Sequence, residues 1–515
     1  MMHRYRVRRP VPEPFFSTHE SDAHCDRRLL LITMAFPPDQ CTGALRWQKL
    51  SRYVAERGWG LDVITIHPAS LASPDLSRLE DLPAGVRVYG VSMLRLRREK
   101  WVMAVWNAYQ TVRSLLSARR RHSQSHKVPT HKARAATRAA LAGERPGSFS
   151  RLDLKWNLAS VRGLVRAYNA WLDYAHTGRW ARHAAALALR LVDLTIHEAV
   201  ITSGPPHMAH VAGEQVSRRT GLPLVIDMRD PWTLNQRLPE PVGSPLWFSL
   251  ADRSERRAIR RAALVVTNTE PFRLAMCGRY SDARGRFITV MNGCDDDRMP
   301  SSENSGRFLI GFAGEIYLDR NPRPLFSAAA QVIREFNLRP AEFAIEMIGS
   351  VEWYGAKPVA EIAREEGLEQ FVTLGPSRPR REALAFLAKA ALLVSLPQDS
   401  EMAIPAKIFE YIQFDAWVLA MATPESATGR LLANSAADIV PPGDCETLVS
   451  VIRQRFLEHS RGVRPVRIAN DARFSRRQQA ERLLDAIAEC MQPARAQTAQ
   501  PALPQSWSVS ATSRN

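Results

Sequence analysis

The stretch IPAKIFEYIQFDAWVLAMATP, residues 404–424, combines the start of a helix with a buried strand. Lys407 and Glu410 are three residues apart, so on a helix both side chains lie on one face. The apolar run 417–422 predicts a strand directly after that helix. A helix N-terminus offers free backbone N–H groups and a partial positive charge. These donors and Lys407 suit a phosphate, and Glu410 suits sugar hydroxyls; the alternative interpretation is an exposed ion pair in front of a core strand.

Short apolar runs alternate with helix-like patterns along most of the chain. This alternation is typical of parallel sheets covered by helices, and 515 residues are too many for one hydrophobic core. We therefore predict an α/β fold of two doubly wound, Rossmann-like domains that face each other across a cleft. The predicted strands are 29–33, 61–66, 199–202, 224–227 and 264–267 in the first domain, and 308–313, 344–348, 371–374, 392–395, 418–421 and 438–440 in the second.

The same patterns suggest the domain boundaries. The first domain is expected at 28–295, the second at 308–460, and the polar, aperiodic stretch 296–307 between them reads as a linker. Residues 461–491 include a helix that could cross back onto the first domain. The basic N-terminus 1–27 and the tail 492–515, rich in Ala, Gln, Pro and Ser, are expected to be disordered.

Cysteine usage and apolar segments indicate the compartment. The six cysteines are scattered without a Cys-x-x-Cys pair, which argues against a zinc site or a dense disulfide framework and fits a reducing compartment. The basic start of the chain has no apolar region after it, so we expect no signal peptide. No window of about 18 uncharged apolar residues occurs, so no transmembrane helix is predicted.

Positive charge is concentrated in one segment, which we call the basic insert, residues 91–190. It contains 20 Lys and Arg against 4 Asp and Glu, a net charge of +16 out of +18 for the whole chain. Residues 123–150 in its middle are polar and are expected to form a mobile loop. Two apolar stripes with helical spacing flank that loop: Trp101, Val105, Tyr109, Val112 and Leu116, then Leu154, Leu158, Val161, Val165, Tyr168 and Leu172.

Three interpretations of the basic insert remain open. A basic amphipathic helix with tryptophans can lie in the interface of an anionic membrane, where each Lys or Arg adds about 1 kcal/mol of attraction. The stripes could instead pack on the protein's own sheet, with the arginines on a solvated face. Nucleic acid is a less favoured partner, because no nucleic-acid-binding motif or stacking platform is evident. We favour contact with an anionic membrane surface, which would make the protein cytoplasmic and peripheral on the inner face of the membrane.

The segment around Lys407 resembles the nucleotide-sugar site of retaining glycosyltransferases with the GT-B fold, sequence family 4. Members often have Pro-x-Lys followed by Glu-Tyr and an apolar strand, and this chain has Pro405, Lys407, Glu410 and Tyr411. The stretch LPLVIDMRDPW, residues 222–232, resembles the FRDPW segment of a subgroup often found in cell-surface polysaccharide synthesis. Further matches follow in the expected order at 29–66, 263–270, 288–295 and 308–325, so the resemblance covers roughly 29–459 apart from the basic insert.

The resemblance implies a set of site residues at the carboxyl ends of strands. Catalytic candidates are Asp230, as a general base or acceptor-orienting group, with Arg229 and Lys407. Glu410 would hold ribose hydroxyls, and Arg320 would contact the diphosphate. The predicted donor-binding residues are Gly43, Gly314, Arg320, Lys407, Glu410 and Gly375.

Three positions depart from the family pattern. Glu315 occupies a place where relatives often have Arg, so Arg320 is nominated as the substitute cation. Arg229 stands where many members have His. Met402 stands where the first glutamate of a Glu-x7-Glu pair would be, since Glu401 is one position off.

By this resemblance the chain is expected to transfer a sugar, with retention, from a nucleotide-sugar donor, most simply UDP-linked, to a lipid-linked or glycan acceptor at the membrane. The chemistry is expected to need neither a metal nor another cofactor, since cations and fixed donors can stabilise the leaving diphosphate. Two alternatives remain: a nucleotide-sugar epimerase with the GT-B fold, and a catalytically degenerate GT-B scaffold at the membrane, which the three departures motivate.

Overall fold

The computed structural model describes residues 25–93, 148–150, 161–234, 237–239, 244–283, 285–295, 299–300, 306–317, 319–397 and 400–491. Side chains are not described at 148–150, 161–162 and 237–239. Within these ranges the chain forms two α/β domains, each built around one parallel sheet. The first stripe of the basic insert, residues 101–116, lies outside the described residues, as do most of the linker, residues 1–24 of the predicted disordered N-terminus and the whole predicted disordered tail 492–515.

The first domain has a seven-stranded sheet. Its main helices are α1 (Ala44–Glu56), α2 (Val161–Leu191), α3 (Met208–Thr220), α4 (Pro245–Arg261) and α5 (Glu270–Arg279). The strands in chain order are β1 (Arg28–Thr33), β2 (Gly60–Ile66), β3 (Val86–Val91), β4 (Ser148–Ser150), β5 (His197–Gly204), β6 (Leu224–Met228), β7 (Arg237–Pro239), β8 (Leu264–Thr267) and β9 (Arg286–Thr289). The sheet order is β3-β2-β1-β5-β6-β8-β9, and every neighbouring pair is parallel.

The second domain has a six-stranded parallel sheet with the order β14-β11-β10-β15-β16-β17. Its strands are β10 (Phe308–Glu315), β11 (Phe343–Ser350), β12 (Trp353–Tyr354), β13 (Lys357–Pro358), β14 (Val372–Gly375), β15 (Leu392–Ser395), β16 (Trp417–Met421) and β17 (Asp438–Val440). Its helices are α6 (Arg323–Phe336), α7 (Val359–Glu365), α8 (Arg380–Leu387), α9 (Ile408–Tyr411), α10 (Ala427–Leu432) and α11 (Cys445–Ser460).

Both sheets are buried on both faces, which explains why their strands read as continuous apolar runs. Each domain has two hydrophobic clusters, one on either face of its sheet. At the centre of each sheet, two strands that are not consecutive in the chain lie side by side: β1 next to β5, and β10 next to β15. The strand order reverses at these points, as it does in doubly wound sheets. The predicted fold class is thereby confirmed.

The last described helix, α12 (Arg476–Met491), packs on the first domain although it follows the second in sequence. Its buried residues Leu483, Leu484 and Ile487 join the cluster that contains Trp47 of α1. The chain therefore passes from the first domain to the second and returns, so two chain segments connect the domains.

The basic insert is only partly an accessory surface. Trp180 is 1% exposed and packs with Ala181, Ala184 and Leu187 in the core of the first domain, so the C-terminal half of α2 is a core helix. In the N-terminal half, Val165 and Tyr168 of the second predicted stripe are exposed, and Leu172 is buried. The prediction of a mobile loop over 123–150 was wrong at its C-terminal end, because Ser148–Ser150 forms a strand that pairs antiparallel with Arg237–Pro239. In the part of the chain that the structure describes, no helix is long and apolar enough to span a bilayer.

Candidate functional site

Loops at the carboxyl edges of the two sheets touch each other. The hydroxyl of Thr269, after β8, donates a 2.6 Å hydrogen bond to the carbonyl of Met402, in the loop after β15. Ligands of doubly wound sheets bind beyond the carboxyl ends of the strands. The residues that the sequence nominated lie in these loops, so the edge between the domains is the candidate site.

Lys407 and Gly314 lie against each other at the end of β10. Gly314 has φ +143°, and a Cβ built on it would be only 2.6 Å from Lys407 Nζ. The ammonium also sits 3.8 Å from the centre of the Phe312 ring, an arrangement that favours a cation. Gly314 and Gly349 adjoin at the ends of β10 and β11, both with positive φ. Only glycines fit there, and their backbone is open to close approach by a ligand.

Burial and neighbouring charge weaken the basicity of Lys407. Burial is the main reason why the pKa of its ammonium is well below the ordinary value, and nearby Arg320 lowers it further. Glu410 and Glu315 act in the opposite direction without restoring it. An anion beside Lys407 and Arg320 would offset both effects, because its charge stabilises the ammonium. The arrangement therefore suits a negatively charged ligand.

Arg320 contacts two residues of the segment that follows β10 and includes the end of that strand. The guanidinium of Arg320 stacks 4.1 Å from the centre of the Tyr317 ring and donates to the Glu315 carbonyl at 3.0 Å. This hydrogen bond uses the backbone oxygen of Glu315, and the Glu315 carboxylate raises the pKa of Lys407 through its charge. Arg320 is close enough to influence Lys407, so the two nominated cations belong to one site.

Glu410 lies one turn after Lys407, and its carboxylate pairs with Arg380 at the start of α8. Its side chain is 27% exposed, so it remains accessible from the cleft. An exposed pair of this kind contributes little, roughly 0–1 kcal/mol, and a ligand can displace it. Gly375 ends β14 beside Ile348 and Arg378. Of the nominated second-domain residues, Gly314, Arg320, Lys407 and Glu410 are thus brought together, with Gly375 further along the same sheet edge.

We expected free backbone N–H groups at a helix N-terminus in this site, and this expectation was wrong. Helix α9 has only four residues, and its first amides are already used, because Ile408 and Phe409 donate to the carbonyls of Pro405 and Ala406. A single turn also provides little dipole. Positive charge at the site therefore comes from side chains.

In the first domain, Gly43 makes room for Arg229. Gly43 precedes α1 with ordinary helical φ and ψ of −63° and −25°, so its backbone does not require glycine. A Cβ at this position would collide with the guanidinium of Arg229. Arg229 is 9% exposed and also donates to the Pro205 carbonyl. The nominated Arg229 therefore packs against Gly43 in the β1–α1 loop, while neighbouring Asp230 is exposed in the loop that follows β6.

A buried ion pair between Arg46 and Asp227 was not predicted from the sequence. Arg46 Nη2 lies 2.9 Å from Asp227 Oδ1, and the side chains are 3% and 0% exposed. Trp47 Nε1 and Ser203 Oγ also donate to Asp227 Oδ2, at 2.8 and 2.9 Å. Burial alone would raise the pKa of Asp227, but Arg46 and the hydrogen bonds outweigh it, and the pKa is lowered. Asp227 thus stays ionised two residues before Arg229.

Two histidines after β5 were also missed. The His207 ring stacks on Trp232 with 5.1 Å between ring centres, and His210 accepts or donates a 2.9 Å hydrogen bond with Thr202. Burial lowers the pKa of both rings, that of His210 to about 3, so both are neutral at physiological pH. For His207 the signal was present in the sequence, because Gly-Pro-Pro-His begins two residues after the predicted strand 199–202.

Among the residues that the structure describes, no group of three or more His, Cys, Asp or Glu side chains is placed to bind a metal ion. The arrangement instead offers cations on one side and a carboxylate on the other. It can neutralise a diphosphate at Lys407 and Arg320 and accept hydrogen bonds from hydroxyls at Glu410.

Comparison with known proteins identifies the architecture. No protein-family model and no curated protein sequence matches the chain. Solved structures do: Anabaena Alr3699/HepE in complex with UDP and glucose is 14% identical with a TM-score of 0.52, covering 90% of this chain and 100% of its own. TarM, solved also for the S. aureus protein with UDP, is 10% identical with a TM-score of 0.53, covering 91% and 100%. An α,α-trehalose 6-phosphate synthase from Burkholderia multivorans is 11% identical with a TM-score of 0.50, covering 90% and 98%.

These neighbours define the class of fold: the chain has the GT-B architecture of glycosyltransferases. The coarse form of the predicted resemblance is confirmed at the level of the fold, with identities of 10–14%. Sequence family 4, the FRDPW subgroup and retention stay predictions.

We expect the substitution Gly43→Ala to act through Arg229. It should lower the free energy of unfolding by about 1–3 kcal/mol because the new methyl group overpacks the guanidinium. In an Arg229→Ala background the same change should cost nothing or stabilise slightly, since alanine suits the helical backbone here. A double-mutant cycle measured by urea unfolding tests this coupling.

Gly278→Ala in α5 is the matched control, because nothing lies within 4 Å of its added Cβ. It should stabilise the protein by roughly 0.5–1 kcal/mol, as glycine-to-alanine changes in helices do. An equal cost of Gly43→Ala with and without Arg229 would contradict the assigned contact.

Proposed function

We propose that the protein is a glycosyltransferase that moves a sugar from a nucleotide-sugar donor, most simply a UDP-sugar, to a membrane-associated acceptor. The single observation that supports it best is the placement of Lys407 against Gly314, with Arg320 and Glu410 beside them. A buried cation at an open glycine backbone suits a diphosphate. A carboxylate one turn away suits the hydroxyls of a ribose.

The proposed chemistry follows from the charges. The bond between the anomeric carbon and the diphosphate breaks, and negative charge grows on the leaving oxygens beside Lys407 and Arg320. Cations fixed in place stabilise this charge more in the transition state than in the ground state. A new bond forms to an acceptor hydroxyl, whose proton is accepted or oriented by exposed Asp230 of the first domain. We propose retention at the anomeric carbon and require no metal for these steps.

UDP is the proposed nucleotide because the HepE and S. aureus TarM structures of the same fold were solved with UDP. The three departures from the family pattern leave the proposed donor-binding side chains together. Glu315 uses its carbonyl to hold Arg320, which supports Arg320 as the substitute cation. A degenerate scaffold would bind no nucleotide, and an epimerase would convert a UDP-sugar without any acceptor, so both alternatives differ in a direct assay.

We expect Glu410→Ala to weaken UDP binding at least about tenfold, because hydrogen bonds to a charged group are worth roughly 1.5–3 kcal/mol. Isothermal titration calorimetry with UDP measures the change. Glu369→Ala, an exposed carboxylate in the same domain, is the control and should leave affinity unchanged. Wild-type protein that is folded and binds no nucleotide would favour the scaffold interpretation.

Lys407 should make UDP binding dependent on pH. Burial lowers the pKa of Lys407 in the empty site, and a bound diphosphate would raise it again by stabilising the ammonium. UDP binding should therefore take up a proton at pH values between these two pKa values, and affinity should fall there as pH rises, by up to about tenfold per pH unit. Calorimetry in two buffers of different ionisation enthalpy should show proton uptake.

The variant Lys407→Arg provides the check, because a guanidinium stays charged throughout this range. It should bind UDP without proton uptake. Proton uptake that persists unchanged in Lys407→Arg would assign the proton to another group and contradict the role given to Lys407.

Membrane association is proposed from the exposed start of α2. Tyr168 and Trp171 are 43% and 40% exposed, and their rings stack with 6.1 Å between centres. Leu164 and Val165 are exposed beside them. Tyrosine and tryptophan suit the membrane–water interface, and the basic insert around them adds attraction to anionic lipid. This arrangement supports an acceptor presented at a membrane.

We expect the double variant Tyr168→Ala/Trp171→Ala to lose most binding to vesicles of phosphatidylcholine with phosphatidylserine, measured by co-sedimentation. Trp353→Ala is the control, since this tryptophan is 57% exposed on the second domain. Binding of wild-type protein should also weaken with salt as surface charges are screened. Equal sedimentation of both variants would contradict membrane contact through α2.

A further inference from the structure

An arginine with no role in the donor site lies at the carboxyl edge of the first sheet. Arg78 is half-buried in a single helical turn, Leu76–Leu79, which follows β2. Its guanidinium donates to the backbone carbonyl of Asp39, in the loop after β1, and to the side-chain oxygen of Gln48 in α1. Both acceptor oxygens are uncharged. These hydrogen bonds therefore hold the guanidinium in place and do not neutralise its positive charge.

Arg380 of the second domain lies near Arg78. Burial is the main reason why the pKa of Arg78 is below its ordinary value, and the charge of Arg380 lowers it further. Asp75 and Asp39 act in the opposite direction. Repulsion between solvent-accessible charges is largely screened beyond about 8–10 Å, so the two guanidiniums face each other across a short distance between the domains. Arg380 is 49% exposed and pairs with Glu410.

Ribose binding at Glu410, as proposed above, would change the charge at this point. Glu410 neutralises Arg380 while the site is empty, and ribose hydroxyls on the same carboxylate would replace Arg380. Arg380 then keeps its charge without its carboxylate partner, opposite the guanidinium of Arg78. Two guanidiniums in this position repel each other, and an anion bound between them would offset the repulsion.

The two arginines suit a phosphate better than a carboxylate. A phosphate monoester carries nearly two negative charges at pH 7 and three acceptor oxygens, which matches two guanidiniums, whereas a carboxylate carries one charge. Guanidinium groups also bind phosphate through two parallel hydrogen bonds. The diphosphate of the donor is already assigned to Lys407 and Arg320. A second phosphate between the arginines would therefore belong to the other substrate.

We propose that the acceptor carries a phosphate group, which binds between Arg78 of the first domain and Arg380 of the second while the donor is bound. The inference rests on the proposed function, because ribose binding to Glu410 is what frees Arg380. It narrows the acceptor to two sources of one chemistry, a phosphorylated sugar or a lipid phosphate. Arg78 and Arg380 are thereby assigned to specificity for the charge of the acceptor.

Isothermal titration calorimetry of the full chain saturated with UDP tests the site. Glucose 6-phosphate is the sugar-phosphate probe and farnesyl phosphate is the lipid probe, and saturating UDP keeps both out of the donor-diphosphate site. We expect at least one probe to bind, and the one that binds identifies the source of the phosphate. Its affinity should fall at least about tenfold in Arg78→Gln and in Arg380→Gln, because hydrogen bonds to a charged group are lost. Glucose and farnesol, which lack the phosphate, should not show this dependence.

Arg381→Gln is the matched control, because Arg381 is the next residue in α8 and is also exposed. It should leave probe binding unchanged. Arg78→Gln and Arg381→Gln should bind UDP within about twofold of wild type, which also shows that they are folded. Arg380→Gln should bind UDP at least as well as wild type, since it removes the partner that competes for Glu410. If Arg78→Gln does not fold, Arg380→Gln alone decides.

Three results would overturn the phosphate site and leave the proposed function standing. They are failure of both probes to bind the UDP complex, displacement of UDP by the probe, and probe binding that Arg380→Gln or folded Arg78→Gln leaves unchanged. Failure of the wild type to bind UDP would overturn both.

Discussion

The ion pair between Arg46 and Asp227 is the constraint on which the arrangement of the first domain depends. Placing both charges in the interior is costly, and only complete hydrogen bonding makes such a pair tolerable. Here the carboxylate accepts from Arg46, Trp47 and Ser203, while the spare donors of Arg46 bind backbone carbonyls after β9. One guanidinium therefore fixes α1, the end of β6 and the segment after β9 relative to each other.

The second domain contains a buried lysine without a comparable set of hydrogen-bonding partners in the described contacts. Lys407 is stacked on Phe312 and pressed against Gly314, where burial disfavours its charged form. An anionic ligand would restore that charge, so the site gains electrostatic complementarity only when it is occupied. The first domain thus contains a charge pair that is already hydrogen-bonded, and the second contains a buried amine whose charged form an anion would stabilise. This difference supports the proposal that the second domain binds the donor.

Much of the fold could be predicted from the sequence because buried parallel strands are short apolar runs. The strands at 264–267, 392–395 and 438–440 were predicted with the bounds that the structure has, and the other predicted strands differ mainly at their ends. The grouping of Lys407, Gly314 and Glu410 could be predicted too, since loops at the carboxyl ends of strands meet at one sheet edge. The four-residue length of α9 could not, because the local pattern does not show where the turn ends.

Contacts between distant residues set the limit of sequence reasoning. Arg46 and Asp227 are separated by 181 positions, and nothing in either local pattern points to the other. The reason for Gly43 was likewise hidden, because it depends on Arg229 and not on backbone conformation. In α2, helical periodicity indicated an apolar face but not its partner. The structure places Trp180 in the core and leaves Trp171 exposed.

The proposed function requires the second domain to bind a nucleoside diphosphate between Gly314, Lys407 and Glu410. A crystal structure of the full chain with UDP tests it most directly. We expect the diphosphate against the Gly314 backbone and Lys407 Nζ, and the ribose hydroxyls on the Glu410 carboxylate in place of Arg380. UDP bound elsewhere, or an empty site at saturating UDP with the Arg380–Glu410 pair intact, would contradict it.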